Sequence, residues 1–388
     1  MSSPELAVEL DESRFDRQER ITWWDQERLA GARALVVGAG ALGNEIVKNL
    51  VLVGVGSVVV VDFDEVEMSN LSRCVFFRPE DEGRPKAEVL AARASEMSPA
   101  TEVHGISRDM RSFDTEITLH TNIIINKLDS REARLFVNRL AWRARRPWVD
   151  GAMEGLSGVA RVFSPPDSCY ECTLTDADFE LLSHRQSCRL LSRDDLLEGK
   201  VPTTATTSSI VAGAQVQEVV KLLHAHQSGV RILQDALVYD GANNDAYVIR
   251  YPSREDCYAH HEYTSPVELD STAATTFRDL TTAAGFAEGI VELGDDYLRA
   301  WDCTTCHSSE PASGAVSLLS FADAECPTCK EARQPMTTTA VSVPGDDADT
   351  PLERFGTRID EVFPVRQGMD YRYVWAKRPD PDLPEAWR

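Results

Sequence analysis

Gly38-Ala39-Gly40-Ala41-Leu42-Gly43-Asn44-Glu45 stands between two β-branched or apolar runs, Ala34–Val37 and Val58–Val61, and this stretch decides the fold. The first run, short, apolar and ended by glycines, reads as a buried strand. Leu42, Ile46, Val47 and Leu50 then recur at helical spacing. The second run reads as another buried strand. Strand, glycine turn, helix and strand make a βαβ unit, which demands a parallel pair and a right-handed crossover. The glycines have separate mechanical roles: Gly38 permits the tight turn, Gly40 lets a phosphate approach the backbone, and Gly43 lets helix and strand pack closely. Exposed N–H groups at the helix start attract phosphate. A glycine turn alone does not say which nucleotide, and many such turns bind none.

The residues that follow narrow the choice. Asp62-Phe63-Asp64-Glu65-Val66-Glu67-Met68-Ser69-Asn70-Leu71-Ser72-Arg73 begins where the second strand ends, and Lys86 lies beyond it. Asp62 comes 24 positions after Gly38, where a carboxylate can accept both ribose hydroxyls of NAD or of ATP. Asp64 joins it in the expected cofactor-binding set. Arg73 and Lys86 bring two cations near the phosphates, where developing pyrophosphate charge needs neutralising; with Asn70 they suit a triphosphate. Asp129 follows a third strand, Asn122–Asn126, at the sheet edge where open α/β folds place ligands, and could hold Mg²⁺. Each of these alone would be an ordinary surface ion pair. Together they favour ATP.

The rest of the chain sets the frame. At 388 residues it accommodates one large domain and a smaller one. Against 40 Lys and Arg stand 63 Asp and Glu, a net charge of −23, which argues against a nucleic-acid-coating surface. The cluster Arg131, Arg134, Arg139, Arg143, Arg145 and Arg146 is expected to be a solvated helix face. No apolar run approaches the ~20 residues of a membrane span, and the acidic N-terminus lacks a signal peptide. A cytoplasmic protein is expected, so its nine cysteines are read as metal ligands or nucleophiles before disulfides. The expected fold is α/β, a Rossmann-like, mostly parallel sheet over residues 1–265, with a C-terminal unit over 266–388. Helices are expected at Lys86–Met97, after Ser130, and over Thr206–His224. Strands are expected at Trp148–Gly151 and Gly158–Phe163, with an antiparallel pair at Ala236–Asp240 and Ala246–Tyr251. Thr264-Ser265-Pro266 and Ser271–Thr276 read as a linker or a loosely packed start, residues 333–352 as a mobile connection, and Leu352–Tyr373 as a segment that packs back onto the body.

These motifs, in this order, resemble the ubiquitin-activating-enzyme superfamily, which includes the bacterial enzymes that adenylate sulfur-carrier proteins. The matching pieces are Arg14-Phe15-Asp16-Arg17-Gln18, Gly38–Glu45, Asp62–Arg73, Lys86, Leu128-Asp129-Ser130 with Ala133-Arg134, Cys169-Tyr170-Glu171-Cys172 and the helix Thr206–Leu223, over roughly residues 14–262. The resemblance implies that the C-terminal carboxylate of a small ubiquitin-like protein attacks the α-phosphate of ATP and pyrophosphate leaves. Asp62 would hold the ribose; Asn70, Arg73 and Lys86 the phosphates; and Asp129, next to Leu128, the Mg²⁺. Arg17 would reach the ATP of the other protomer, making a homodimer part of the site. Asn126 departs from the many bacterial members that place an acid there, and Leu128-Asp129-Ser130 looks closer to the activating enzymes of ubiquitin-like modifiers.

The cysteines fall into three groups. Cys188, in a polar stretch inside the crossover loop 173–204, matches the family cysteine that attacks the acyl-adenylate to give a thioester, or an acyl-persulfide in sulfur transfer. Its neighbours His184, Arg185 and Arg189 would favour the thiolate; the bland alternative is a buried, inert cysteine. Cys169-x-x-Cys172 is half of a tetrahedral site. Where the family usually supplies a second pair, this chain reads Cys257-Tyr258-Ala259-His260-His261, so a Cys₃His zinc site through His260 is expected, His261 or a lost zinc being the alternatives. Cys303-x-x-Cys306 and Cys326-x-x-Cys329, nineteen residues apart, have zinc-ribbon spacing within 300–332, with an iron centre as the minor alternative. Structural zinc would supply folding energy to so small a unit, and docking is its expected role.

The expected function is therefore activation of a ubiquitin-like protein ending in glycine: adenylation, transfer to Cys188, and hand-over to a conjugating enzyme. Arginine outnumbers lysine and the chain is short for a eukaryotic activator, which suggests a bacterial member; relatives occur in antiphage conjugation systems, by family analogy alone. Sulfur-carrier activation for thiamine or molybdopterin synthesis is the alternative. A nicotinamide dehydrogenase leaves Arg73, Lys86 and Asp129 unexplained, and the same residues speak against an inactive scaffold.

Overall fold

The computed structural model describes residues 13–113, 115–128, 130–178, 202–225, 230–233, 236–260, 262–358 and 360–387. Asp129, Cys188, His261 and most of the 173–204 loop lie outside the described residues. After the short helices Asp16–Glu19 and Gln26–Ala30, the chain runs β1 (Arg33–Val37), α1 (Ala41–Val53), β2 (Ser57–Val61), α2 (Lys86–Met97), β3 (Glu102–Ile106), β4 (Ile123–Asn126), α3 (Arg131–Arg143), β5 (Trp148–Glu154), β6 (Ser157–Phe163), α4 (Ala205–Leu223), β7 (Ala236–Asp240) and β8 (Asp245–Ile249). These strands form one eight-stranded sheet in the order β3-β2-β1-β4-β5-β6-β7-β8. The first five are parallel and the last three antiparallel.

Both faces of the parallel part are covered, which is why its strands are continuous apolar runs. Ala34, Val36, Val58, Val60, Ile123 and Ile125 pack with α1, α2 and α4. Leu35, Val37, Val59, Val61 and Ile124 alternate to the other face, against Leu135 and Leu140 of α3 and Met110, Phe113 and Ile117. The strand order reverses between β1 and β4. That is the switch point where ligands sit in open α/β sheets.

The second unit comprises β9 (Val267–Asp270), α5 (Phe277–Ala283), β10 (Gly289–Asp302), β11 (Ser309–Pro311), β12 (Gln334–Val343), β13 (Glu361–Gln367) and β14 (Asp370–Lys377). Its sheet runs β11-β10-β13-β14-β9, and β12 pairs the remaining edge of β10. Two sequence expectations change here. Gln334–Val343, read as a mobile connection, is a ten-residue strand, because Thr337, Thr338, Thr339, Val341 and Val343 are β-branched and β10 supplies a full-length partner. Ser271–Thr276, read as a linker or a loosely packed start, ends in the N-cap of α5: the Thr276 hydroxyl accepts from the Asp279 N–H while Asp279 accepts from the Thr276 N–H.

The chain's return to the body also differs in place. Glu361–Gln367 and Asp370–Lys377 belong to the second unit's own sheet. Leu383 and Trp387 make the return, buried in the α3-side core of the first sheet, with Trp387 Nε1 donating to Ser57 Oγ at 2.9 Å. Arg108 grips Asp380 and Asp382 from the first unit. Arg358, its side chain 4% exposed, donates across the boundary to the Arg111 carbonyl at 2.7 Å. No helix among the described residues is long and apolar enough to cross a membrane.

Because Trp387 is fully buried in the first unit's core, Trp387→Ala is expected to cost about 3–5 kcal/mol. Urea denaturation followed by a probe in the parallel sheet would measure this, and a loss below ~1 kcal/mol would refute the tail's place in that core.

Candidate active site

The turn after β1 has the geometry its glycines suggest. Gly38 sits at φ +101°, in the left-handed region, and a Cβ there would come 2.6 Å from the Lys127 carbonyl. A Cβ on Gly43 would overlap the Gly38 carbonyl oxygen, so α1 can approach the turn only with glycine at this position. Around Gly40 nothing lies within 4 Å of an added Cβ; this is the open place where a ligand can meet the backbone. Asn44, fully buried, pins the turn: its Nδ2 donates to the Ala39 carbonyl at 2.7 Å and its Oδ1 accepts from the Phe76 N–H at 3.0 Å.

Over this turn lies a cavity of about 380 Å³ lined by Gly38, Gly40, Asp62, Asp64, Asn70, Arg73 and Lys86, and also by Ala41, Ser69, Cys74, Lys127, Met153, Pro202 and Thr203. Asp62 accepts from the Ala39 N–H at 2.6 Å and from the Asp64 N–H at 2.8 Å. Burial pushes the Asp62 carboxyl above its ordinary range, and those two N–H donors offset part of the rise. Lys86 opens α2 and its Nζ donates to Asp64 Oδ2 at 2.8 Å. The Arg73 guanidinium is held by the Ser69 carbonyl at 2.7 Å, and buried Asn70 accepts from the Glu67 N–H at 2.9 Å. Burial also pushes the Cys74 thiol up to about 11, which makes it a poor nucleophile. Two cations, a ribose-competent carboxylate and an open backbone turn thus share one cavity. That donor set fits a nucleoside triphosphate.

The other expected residues are placed differently. Leu128 packs against the α3-side core, and its neighbour Lys127 lines the cavity instead. Arg17 is exposed on the helix Asp16–Glu19 and outside that cavity lining; beside it Gln18 Nε2 donates to the Val53 carbonyl at the far end of α1. Lys127 and Thr203 are additions to the cavity lining that no motif announced, because each comes to the turn from a part of the chain distant in sequence.

The arginine face of α3 is solvated only in part: the Arg131 and Arg139 side chains are 42% and 46% exposed, that of Arg134 only 12%. Fully buried Asp150 accepts from Arg134 at 3.0 Å and from Arg161 at 2.7 Å, and buried Glu171 accepts from Arg139 at 2.7 Å. Asp150 pairs with Asn126 in the β4–β5 register and shares its face. An acid at 126 would set a second carboxylate beside Asp150; the neutral amide avoids that repulsion. Gln215 of α4 ties the same strand ends, donating to the Asn126 carbonyl at 3.2 Å and the Val149 carbonyl at 3.3 Å.

Both cysteine sets are brought together, each with donor atoms within 4.8 Å of one another. In the first, Cys169 Sγ lies 3.7 Å from Cys172 Sγ and 3.5 Å from Cys257 Sγ, and His260 Nε2 lies 3.3 Å from Cys172 Sγ. Trp142 stacks on the His260 ring at 3.8 Å and fixes its plane. The second set pairs Cys303 with Cys329 at 3.5 Å and Cys306 with Cys326 at 3.6 Å. The Cys329 N–H leads the groups that hold the Cys326 thiol down to about 6, favouring a thiolate. Three thiols with an imidazole, and four thiols, are donor sets that could hold zinc.

A family model described as the ThiF family matches residues 15–259. The NEDD8-activating enzyme E1 catalytic subunit of Arabidopsis thaliana is 40% identical over 158 residues, 37% of this chain and 34% of that protein. The chain therefore spans about a third of that relative's length. The SAMP-activating enzyme E1 of Haloferax volcanii is 30% identical over 265 residues, 65% of this chain and 91% of that protein. Among solved structures, E. coli MccB with ATP aligns with a TM-score of 0.52 at 19% identity, covering 64% of this chain and 74% of that one. MccB in complex with N-formylated MccA aligns at 0.54 and 20%, covering 65% and 76%. At such identity these structures speak to the fold.

Metal analysis is expected to find two zinc ions per chain, one for each donor set. Cys326→Ser should lower the content to one and destabilise the second unit, whereas Cys169→Ser should spare the ribbon zinc. A chain that folds without metal would contradict both assignments.

Proposed function

We propose, on the premise that the chain belongs to the ThiF family, that it is an ATP-dependent activating enzyme for a ubiquitin-like protein ending in glycine. The observation that carries this is the single cavity at the β1–β4 switch point that gathers Asp62, Asn70, Arg73 and Lys86. Two cations beside an open glycine turn are suited to a leaving pyrophosphate, a demand that a dinucleotide oxidoreductase does not make.

In the proposed first step Asp62 holds the ribose hydroxyls. A carboxylate oxygen of the modifier's last glycine attacks the α-phosphorus, and the bond from that phosphorus to the β-bridging oxygen breaks. Arg73 and Lys86 neutralise the charge on departing pyrophosphate; Lys86 exchanges its bond with Asp64 for one with phosphate. Mg²⁺, held by Asp129, would screen the phosphates in the same step. Arg17 would serve the cavity of a second protomer, in keeping with its exposed place away from its own cavity. In the second step the Cys188 thiolate attacks the acyl carbon, AMP leaves, and the thioester awaits a conjugating enzyme. Sulfur-carrier activation shares the first step and differs only in what happens at Cys188.

Arg73→Ala and Lys86→Ala are each expected to lower ATP–pyrophosphate exchange by about 10²–10³, with the fold intact. Cys188→Ala should keep exchange while abolishing a reducible covalent adduct with the modifier; loss of exchange as well would sink the two-step reading. Asp62 must be ionised to accept from ribose, and its pKa is raised. ATP affinity should therefore weaken on acidification at a higher pH than an ordinary aspartate would dictate. Titration of binding against pH tests this: in Asp62→Asn the affinity should be low and that pH dependence absent.

A further inference from the structure

Strand β12 leaves one edge open. It pairs with β10 from Gln334 to Val343, and among the described residues no strand pairs with its other side. Sheet edges are ordinarily blunted by lysine, proline, inward charges, short length or bulges; the β10–β12 ladder has two register shifts, between Glu292 and Tyr297 and between Leu298 and Ala300, and runs unbroken from Ala340 to Val343. This edge has ten residues and no charged one, Gln334-Pro335-Met336-Thr337-Thr338-Thr339-Ala340-Val341-Ser342-Val343. Pro335, without an N–H, is tolerable on such an edge. The strand also emerges from the second cysteine pair, so a ribbon metal would anchor it at one end.

The backbone itself reports which groups face outward. Ala340 lies opposite Glu292 in the ladder, yet its N–H bonds the Thr338 hydroxyl at 3.3 Å and its carbonyl accepts from that hydroxyl at 2.7 Å. Both polar groups of Ala340 therefore point away from β10, held by a hydroxyl that one rotamer change would withdraw. By strand alternation Ser342, in the unbroken ladder from Glu292 to Gly289, presents its backbone groups the same way, whereas Thr338 lies beyond the register shift between Glu292 and Tyr297.

Charge chooses the occupant. Exposed Glu331 precedes the strand, exposed Asp346 follows it, and exposed Glu288 adjoins the Gly289–Val343 pair; none makes an ion pair among the described residues. Two copies paired edge to edge in antiparallel fashion would bring Glu331 of each toward Asp346 of the other, which is repulsive at both ends. A strand with basic ends meets attraction at both.

We propose that the open edge of β12 docks an extended segment of a partner protein, with an uncharged β-branched centre and lysine or arginine at both ends, added to the sheet as a further strand. This site is separate from the nucleotide cavity and does not depend on the adenylation reading.

The test uses the full zinc-loaded chain and two synthetic peptides of alternating valine and threonine, one ended by lysines and one by glutamates, with affinity read by fluorescence anisotropy. The lysine peptide is expected to bind and the glutamate peptide to fail. Ser342→Pro removes an outward N–H that the β10 ladder does not use, and should weaken binding about fivefold to tenfold. Glu331→Gln with Asp346→Asn should weaken it and flatten its salt dependence. Thr338→Val frees the Ala340 backbone and should tighten it, which keeps the test decisive should the proline variant fail to fold. Equal binding of both peptides, or an affinity unmoved by Thr338→Val, overturns the proposal. So does a concentration-dependent dimer that Ser342→Pro abolishes, since the edge would then belong to a second copy.

Discussion

Helix α1 lies so close to the turn that opens it that no side chain fits between Gly43 and the Gly38 carbonyl. Much of the first unit hangs on that approach. It aims the free N–H groups of the first turn of α1 at the cavity floor. It brings Asn44 within reach of both the turn and the Phe76 backbone, joining the glycine loop to the segment that carries Asn70 and Arg73. It also lets the end of β2 lie beside the turn, so that Asp62 accepts from the Ala39 N–H. A helix set one side chain further out would separate all three.

Charge is managed by pairing within an acidic chain. Lys86 is held in the cavity by Asp64, a half-exposed partner that a phosphate can replace at small cost. Asp150 is the opposite case. It is fully buried and shared by two guanidiniums, so removing either arginine would leave its charge undercompensated. The first arrangement suits exchange and the second suits permanence. One lies at a cavity beyond the end of β2 and the other in the framework, on β5, with β1 and β4 between them.

The second unit has its own aromatic core around Phe277, Tyr297, Phe355 and Phe363, and it is fastened to the first at both ends of its contact. Arg358 crosses at the Arg111 carbonyl, and Asp380, Leu383 and Trp387 cross at the tail. With these fastenings the ribbon and its β12 edge are carried at a set place relative to the parallel sheet.

What could be read from the sequence alone was whatever depends on short-range spacing. The βαβ unit follows from glycines and apolar periodicity within some thirty residues, and the ribbon follows from two Cys-x-x-Cys pairs. Asp62, Arg73 and Lys86 follow from their places after a strand and before a helix. Tertiary structure alone decided the rest. That Arg134 and Arg139 of α3 reach buried carboxylates was hidden, because Asp150 and Glu171 lie on other elements. Gln334–Val343 looked like a connection because its threonines, prolines and flanking glycine resemble a loop until β10 is laid beside them. Trp387 gave no sign of which core it fills. A local pattern records the period of a single element, whereas burial and pairing belong to two elements at once, and the second lies wherever the chain's path has put it.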